Sequence, residues 1–260
     1  MLVDSHCHLD YKPLNESCDA VVNRAREVGV VRMLNIGTTM KEFADVLNTS
    51  RRYHDVYCSI GVHPHHVQEE GEKITATELI SRAADPKIVG IGETGLDYHY
   101  NKPPYDDQQL SFREHIRASI TTGLPLIVHS RNAETETAKL LKEERAGGKL
   151  TGVLHCFSSG RGLAEEALEI GFYISLSGIL TFKNSGELRA IARDVPMDRL
   201  LVETDSPYLA PEPHRGKPCE PAYVTQTAKI LAEVKGVDLD TIEAQTTANF
   251  FRLFTKVLPL

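Results

Sequence analysis

No apolar run in this 260-residue chain approaches the roughly 18 residues a membrane span needs, so it is not expected to cross a bilayer. No basic-then-apolar leader precedes the first strand-like segment, which argues against a secretory signal. Cys-x-x-Cys is absent, and the five cysteines (Cys7, Cys18, Cys58, Cys156 and Cys219) are odd in number and widely scattered. That distribution fits a reducing cytoplasm better than a disulfide framework or a zinc finger. There is no basic surplus either. The net charge of −7 weakly opposes nucleic acid as a partner. The objection is limited, because acids that hold divalent cations count as negative in the sequence but are neutralised once those cations are bound. No Gly-x-Gly-x-x-Gly loop follows the first strand, which argues against dinucleotide binding. Without a linker, low-complexity tract or long charge run, residues 1–260 are expected to form one domain.

What the chain does contain is alternation. Short β-rich apolar runs fall at Met1–His6, Val31–Ile36, Val56–Val62, Ile88–Glu93, Leu124–His129, Gly152–Cys156, Phe172–Ser177 and Leu200–Glu203. Between them lie apolar residues at helical spacing, as in Cys18–Val28, Lys41–Tyr53, Ala76–Ala84, Asp107–Thr122 and Ala133–Arg145. Gly162–Ile170, Gly186–Val195, Pro221–Val234 and Leu239–Val257 continue the pattern. Such βα repetition implies an α/β protein with a parallel sheet, either open or closed. Ligand-type residues end the first, third, fourth, fifth, sixth and eighth strands. Opposite edges of an open sheet could not share one site, whereas the strand ends of a (β/α)8 TIM barrel converge on one C-terminal mouth. A barrel is therefore predicted.

His6 and His8, in Val3-Asp4-Ser5-His6-Cys7-His8-Leu9-Asp10, are two residues apart and so share a face of a strand. Alone, a His-x-His is as readily structural as metal-ligating. Glu93 stands among three glycines in Gly90-Ile91-Gly92-Glu93-Thr94-Gly95, where its two oxygens could bridge two ions or simply occupy a glycine turn. Asp97 could reach the mouth or cap the loop that follows, and the cap is the role expected. His129 and His155 end successive apolar runs at matching positions, which weighs against two unrelated core histidines. In Leu200-Leu201-Val202-Glu203-Thr204-Asp205, two carboxylates share the inward face and would repel unless a cation or metal-bound water lay between them. Asp205, nearer the mouth, is the better ligand or proton acceptor. Glu203 is read as supporting a ligand, with a third ion left open.

The remaining candidates concern substrate. His63 and His65, in Gly61-Val62-His63-Pro64-His65-His66, are assigned to substrate contact and His66 to solvent. The loop Tyr98-His99-Tyr100-Asn101-Lys102-Pro103-Pro104-Tyr105 either stacks unpaired bases, with Tyr98 among the contacts, or packs on its own tyrosines. Arg131, Arg215 and Lys217 are further cations that an anionic substrate would explain. The strong ligand set is thus His6, His8, Glu93, His129, His155 and Asp205. Mixed imidazole and carboxylate ligands suit zinc or manganese better than magnesium. Two ions sharing Glu93 would activate a water, so direct hydrolysis without a protein nucleophile is predicted.

These motifs resemble the TatD family of metal-dependent deoxyribonucleases, within the amidohydrolase superfamily. The resemblance rests on Asp4-Ser5-His6-Cys7-His8-Leu9, Gly61-Val62-His63-Pro64-His65, Gly92-Glu93-Thr94-Gly95-Leu96-Asp97-Tyr98, Leu154-His155-Cys156-Phe157 and Glu203-Thr204-Asp205-Ser206-Pro207-Tyr208, in family order over nearly the whole chain. It implies one ion on His6, His8, Glu93 and Asp205 and a second on Glu93, His129 and His155. Asp205 would orient or deprotonate water, and His63, His65 and Arg131 would meet phosphate. Family members are described as magnesium-dependent, so magnesium, manganese and zinc all stand as the two divalent ions per subunit. The implied partner is DNA, cut by hydrolysis, and crowded mouth loops with a net acidic surface favour threading a single strand from an end over gripping a duplex. The alternative is a small-molecule hydrolase for a lactone, amide or phosphoester, which would call for an apolar closed pocket. A scaffold that merely retains structural metals is the other alternative.

Overall fold

The computed structural model describes residues 1–68, 74–100, 103–146 and 148–260. Eight parallel strands follow one another around a single sheet in chain order. They are β1 (Leu2–Cys7), β2 (Val30–Asn35), β3 (Val56–Ile60), β4 (Ile88–Asp97), β5 (Leu126–Arg131), β6 (Gly152–Leu154), β7 (Tyr173–Leu176) and β8 (Leu200–Val202). The helices between them are α1 (Cys18–Glu27), α2 (Phe43–Arg52), α3 (Ala76–Arg82), α4 (Tyr105–Thr122), α5 (Glu134–Arg145), α6 (Arg161–Glu169) and α7 (Gly186–Asp194). After β8 come α8 (Val224–Lys235) and α9 (Leu239–Leu253). The ring closes between β1 and β8. Asp205 N donates to His6 O at 2.9 Å, His8 N donates to Ser206 O at 2.8 Å, and Cys7 bridges Ser206. This is the predicted (β/α)8 barrel. No helix among the described residues is long and apolar enough to cross a membrane.

Two apolar layers position the mouth. Outside the sheet, Leu2, Met33, Val56, Ile88, Leu126, Leu154, Ile174 and Leu200 pack with the inner faces of the helices. Inside it, Val3, Leu34, Tyr57, Val89, Ile127, Val153, Tyr173 and Leu201 supply one buried residue from every strand. Phe250, Leu253, Phe254 and Val257, at and just beyond the end of α9, complete this inner cluster and seal the N-terminal floor of the barrel. Small serines follow two residues further along three strands. Ser5 Oγ lies 3.1 Å from Ser175 Oγ, and Ser59 Oγ accepts from Gly37 N at 3.3 Å. Polar groups thus begin one layer above the floor.

Most strand bounds fall within a few residues of those expected, but β4 does not stop at Glu93. It continues to Asp97, pairing Gly95 with His129 and Asp97 with Arg131 of β5. The glycines that could have read as a turn are what allow this. Gly92 and Gly95 have φ of +131° and +136°, and a Cβ on Gly95 would collide with the His129 carbonyl oxygen. The result is a long strand that carries Glu93 and Asp97, two carboxylates four residues apart, into the mouth.

Candidate metal centre

His6 sits at the end of β1 and His8 just beyond it; Glu93 lies within β4 and His129 within β5. His155 immediately follows β6, and Asp205 lies three residues past β8. Parallel strands bring all six to one mouth. The two backbone bonds that close the barrel join His6 and His8 directly to the Asp205–Ser206 segment. Asp4 reinforces this seam. Its Oδ1 accepts from Thr204 N at 2.9 Å and its Oδ2 from Thr204 Oγ1 at 2.6 Å. Burial pushes the Asp4 carboxyl up to about 8 in spite of these bonds.

The two oxygens of Glu93 face different partners. Oε2 is 3.4 Å from His6 Nε2. Oε1 is 2.7 Å from His155 Nε2, 3.1 Å from His129 Nδ1 and 3.5 Å from His63 Nε2. Asp205 Oδ1 is 3.6 Å from His6 Nε2 and 3.5 Å from His8 Nε2. Ligand atoms at about 2.1 Å from one ion in tetrahedral array are roughly 3.4 Å from one another, so these spacings fit ligands around a cation. His6 Nδ1 and Nε2 and His8 Nδ1 are buried without a hydrogen-bond partner. Each such orphan costs about 1–3 kcal/mol unless something satisfies it. His6–His8–Glu93 and His63–Glu93–His129 each converge closely enough to hold an ion, as does His6–His155–Glu203. The donor set fits a divalent metal.

Electrostatics point the same way. Burial opposes ionisation of Glu93, but the imidazoles of His155, His63 and His129 outweigh it and hold the carboxyl well below its usual range. Asp205 is likewise held low against burial, by His8, His6 and His155. His155 is lifted well above 6.5, because Glu93 and Glu203 overcome its burial. Burial and neighbouring His155 push His6 down, and burial pushes His63 far down. Protons on the raised imidazoles serve the same carboxylates that a bound cation would, so the two exclude one another.

Two further carboxylates hold the rings from behind. Glu203 Oε1 accepts from Cys156 N at 2.7 Å and lies 3.3 Å from His155 Nδ1, while its buried Oε2 has no hydrogen-bond partner. Asp97 does cap its loop, accepting from His99 N at 3.0 Å, but it also reaches the mouth. Its Oδ2 is 3.1 Å from His129 Nε2 and 2.9 Å from His65 Nε2. Beneath His63, the buried His115 of α4 accepts from Val62 N through Nε2 at 2.9 Å, and its Nδ1 pairs with Ser111 O at 2.7 Å.

A cavity of about 570 Å3 opens above these groups, and His8, Glu93, His129, His155 and Asp205 reach it. His63, His65 and Arg131 line it too, and so does His66, which was expected in solvent. Tyr98 does not. It stacks on Tyr105 with centroids 3.7 Å apart and its hydroxyl accepts from Gln109, so this part of the loop packs on itself. Tyr100 takes the place at the cavity, with Arg131 5.2 Å from its ring; Asn101 and Lys102 lie outside the described residues. Arg215 is also not at the lining. Its guanidinium lies 3.8 Å over the Phe182 ring and donates to Ala210 O. Sequence reading missed Tyr11, Thr38 and Tyr208, which line one wall. Tyr11 lies three residues beyond His8 and Tyr208 three beyond Asp205, but nothing in that spacing marks a wall.

A (β/α)8 barrel with clustered histidines and carboxylates at its mouth has the architecture of a metal-dependent hydrolase, and the comparisons with known proteins carry that class name. Residues 3–255 match the family model described as TatD related DNase. The chain belongs to that family. It is 44% identical over 256 residues to the uncharacterized metal-dependent hydrolase YcfH of Escherichia coli K12, covering 97% of this chain and 95% of that one. It is 36% identical over 244 residues to the 3'-5' ssDNA/RNA exonuclease TatD of Cronobacter sakazakii, covering 92% of each. Among solved structures, that of YjjV, a TatD homolog from E. coli K12, superposes with a TM-score of 0.89 at 27% identity, over 99% of this chain and 98% of that one.

Proposed function

We propose that residues 1–260 act as one hydrolase barrel, a deoxyribonuclease that cuts phosphodiester bonds from an end of single-stranded DNA. The observation that carries the reading is Glu93, whose Oε2 faces His6 while its Oε1 faces His63, His129 and His155. In this reading His6, His8, Glu93 and Asp205 hold one divalent ion, and Glu93, His129 and His155 hold the second. Bound there, magnesium, manganese or zinc ions would supply an acidified water and neutralise charge on phosphate oxygens. Asp205, at the mouth beside His8, would orient a water there and accept its proton. His63, His65 and Arg131 meet the phosphate. Asp97 and Glu203 fix the rings of His129 and His155 from behind.

DNA as substrate is supported by the exonuclease activity for which the Cronobacter relative is named and by the cavity walls. Imidazole, phenol, hydroxyl, guanidinium and carboxylate groups make up most of those walls, with Cys156 the one thiol and Ile179 and Leu209 the aliphatic side chains, whereas a lactone or amide would call for a closed apolar pocket. The five free cysteines favour a reducing, cytoplasmic setting. The test is metal-stripped protein on end-labelled single-stranded DNA, with RNA and duplex in parallel and each ion added back separately. Stepwise shortening of the single strand that metal restores and Asp205→Ala lacks is the expected result. Intact strands under every ion would refute the nuclease reading.

A further inference from the structure

Tyr208 is exposed to 54% and lies three positions from Asp205, a partly buried ligand candidate. It lines the cavity at the rim, on the β1–β8 side. Its neighbours meet it only edge-on: Tyr11 and His8 each lie 6.4 Å away by ring centroid, at 84° and 69°. Among the described residues no ring stacks on a face of Tyr208 and no cation lies over it. Tyr11, by contrast, is fully engaged, stacked on His8 at 4.7 Å with its hydroxyl 2.6 Å from Thr38 Oγ1.

The segment that carries Tyr208 is held in place. Asp205 and Leu209 adopt φ of +58° and +52°, conformations that persist only where surrounding bonds impose them. Those bonds are Asp205 N to His6 O at 2.9 Å, Tyr208 N to Asp205 O at 2.9 Å and Cys219 N to Pro207 O at 2.9 Å. The backbone that carries the ring is therefore fixed relative to His6, His8 and Asp205. A flat, wet aromatic face held beside a hydrolytic centre matches the means by which single strands are gripped without sequence preference, namely base stacking on an aromatic side chain. Tyr100, across the cavity and exposed to 59%, is met edge-on by His65 and His99, but it is less suited because the Arg131 guanidinium already lies 5.2 Å from the centre of its ring.

We infer that Tyr208 is a stacking platform for a nucleobase flanking the scissile phosphate, making this wall a base-binding subsite of the nuclease. The inference rests on the nuclease reading above. It is tested with metal-loaded protein on two labelled single strands, one with ordinary bases and one whose last two nucleotides at the attacked end are abasic. Stacking on an aromatic side chain predicts that wild type prefers the base-bearing end by about tenfold in kcat/KM. Tyr208→Ala should bring that ratio close to one through a rise in KM for the base-bearing strand, while Tyr208→Phe should keep it. Loss of rate on both strands in parallel would mean that Tyr208 only supports the loop, and overturns the subsite. So would a wild-type enzyme that cuts both ends equally, which leaves the nuclease reading standing. Wild type that cuts neither strand under any ion overturns both.

Discussion

Acidification offers a sharp test of the floor beneath the His63 loop. His115 is completely buried in α4, and burial lowers its pKa from an ordinary 6.5 to about 4. It is held neutral, with Nε2 accepting from Val62 N and Nδ1 left to donate to Ser111 O. The folded state therefore refuses a proton that the unfolded chain accepts. Its contribution to stability is complete above pH 6.5, falls as the pH drops towards 4, and levels off below that. Linkage between those two values gives a loss of about 2 kcal/mol by pH 5 and about 3 kcal/mol by pH 4. Other groups titrate in the same range, so the assay is a difference between wild type and His115→Gln, whose amide oxygen can still accept from Val62 N. Urea unfolding of the two metal-stripped proteins should show wild type losing about 3 kcal/mol more than the variant between pH 7 and pH 4. A gap that stays constant with pH would falsify the neutral buried histidine and with it the account of how this loop is held.

Other expectations concern the centre itself. Glu93→Ala should abolish hydrolysis and metal uptake while leaving the far-ultraviolet circular dichroism spectrum unchanged; retained activity would refute a shared carboxylate. Glu203→Gln keeps an acceptor for Cys156 N but removes the charge behind His155, and should weaken metal affinity by about 10–100-fold in competition with a chelator. An unchanged affinity would show that Glu203 does not act on His155. Gly95→Ala must place a Cβ against the His129 carbonyl oxygen at a φ few residues tolerate, so a loss of at least about 2 kcal/mol is expected in urea. A variant as stable as wild type would show that β4 and β5 can part there without penalty.

Much of the fold was legible because parallel strands buried on both faces appear as uninterrupted apolar runs, and because ligand-type residues at their ends make sense only on a closed ring. The His6–His8 pair follows from strand periodicity alone. What escaped was set by tertiary approach. The glycines around Glu93 could read as a turn, yet they keep β4 paired with β5 as far as Arg131, which puts Asp97 against both His65 and His129. Tyr98 and Tyr100 are interchangeable in a one-dimensional pattern, and only packing against Tyr105 turns one away and leaves the other at the cavity. Arg215 is drawn off by the ring of Phe182, a partner 33 residues away that no local pattern announces.

The sealed floor has a consequence for traffic. With one side chain from every strand packed in one cluster with Phe250 and Phe254, the described residues fill the lower barrel and leave it a cup. Whatever the mouth admits must leave by the mouth, against the arrival of whatever comes next. Turnover in such a vessel is governed by one doorway, and a product that lingers there is an inhibitor by position alone.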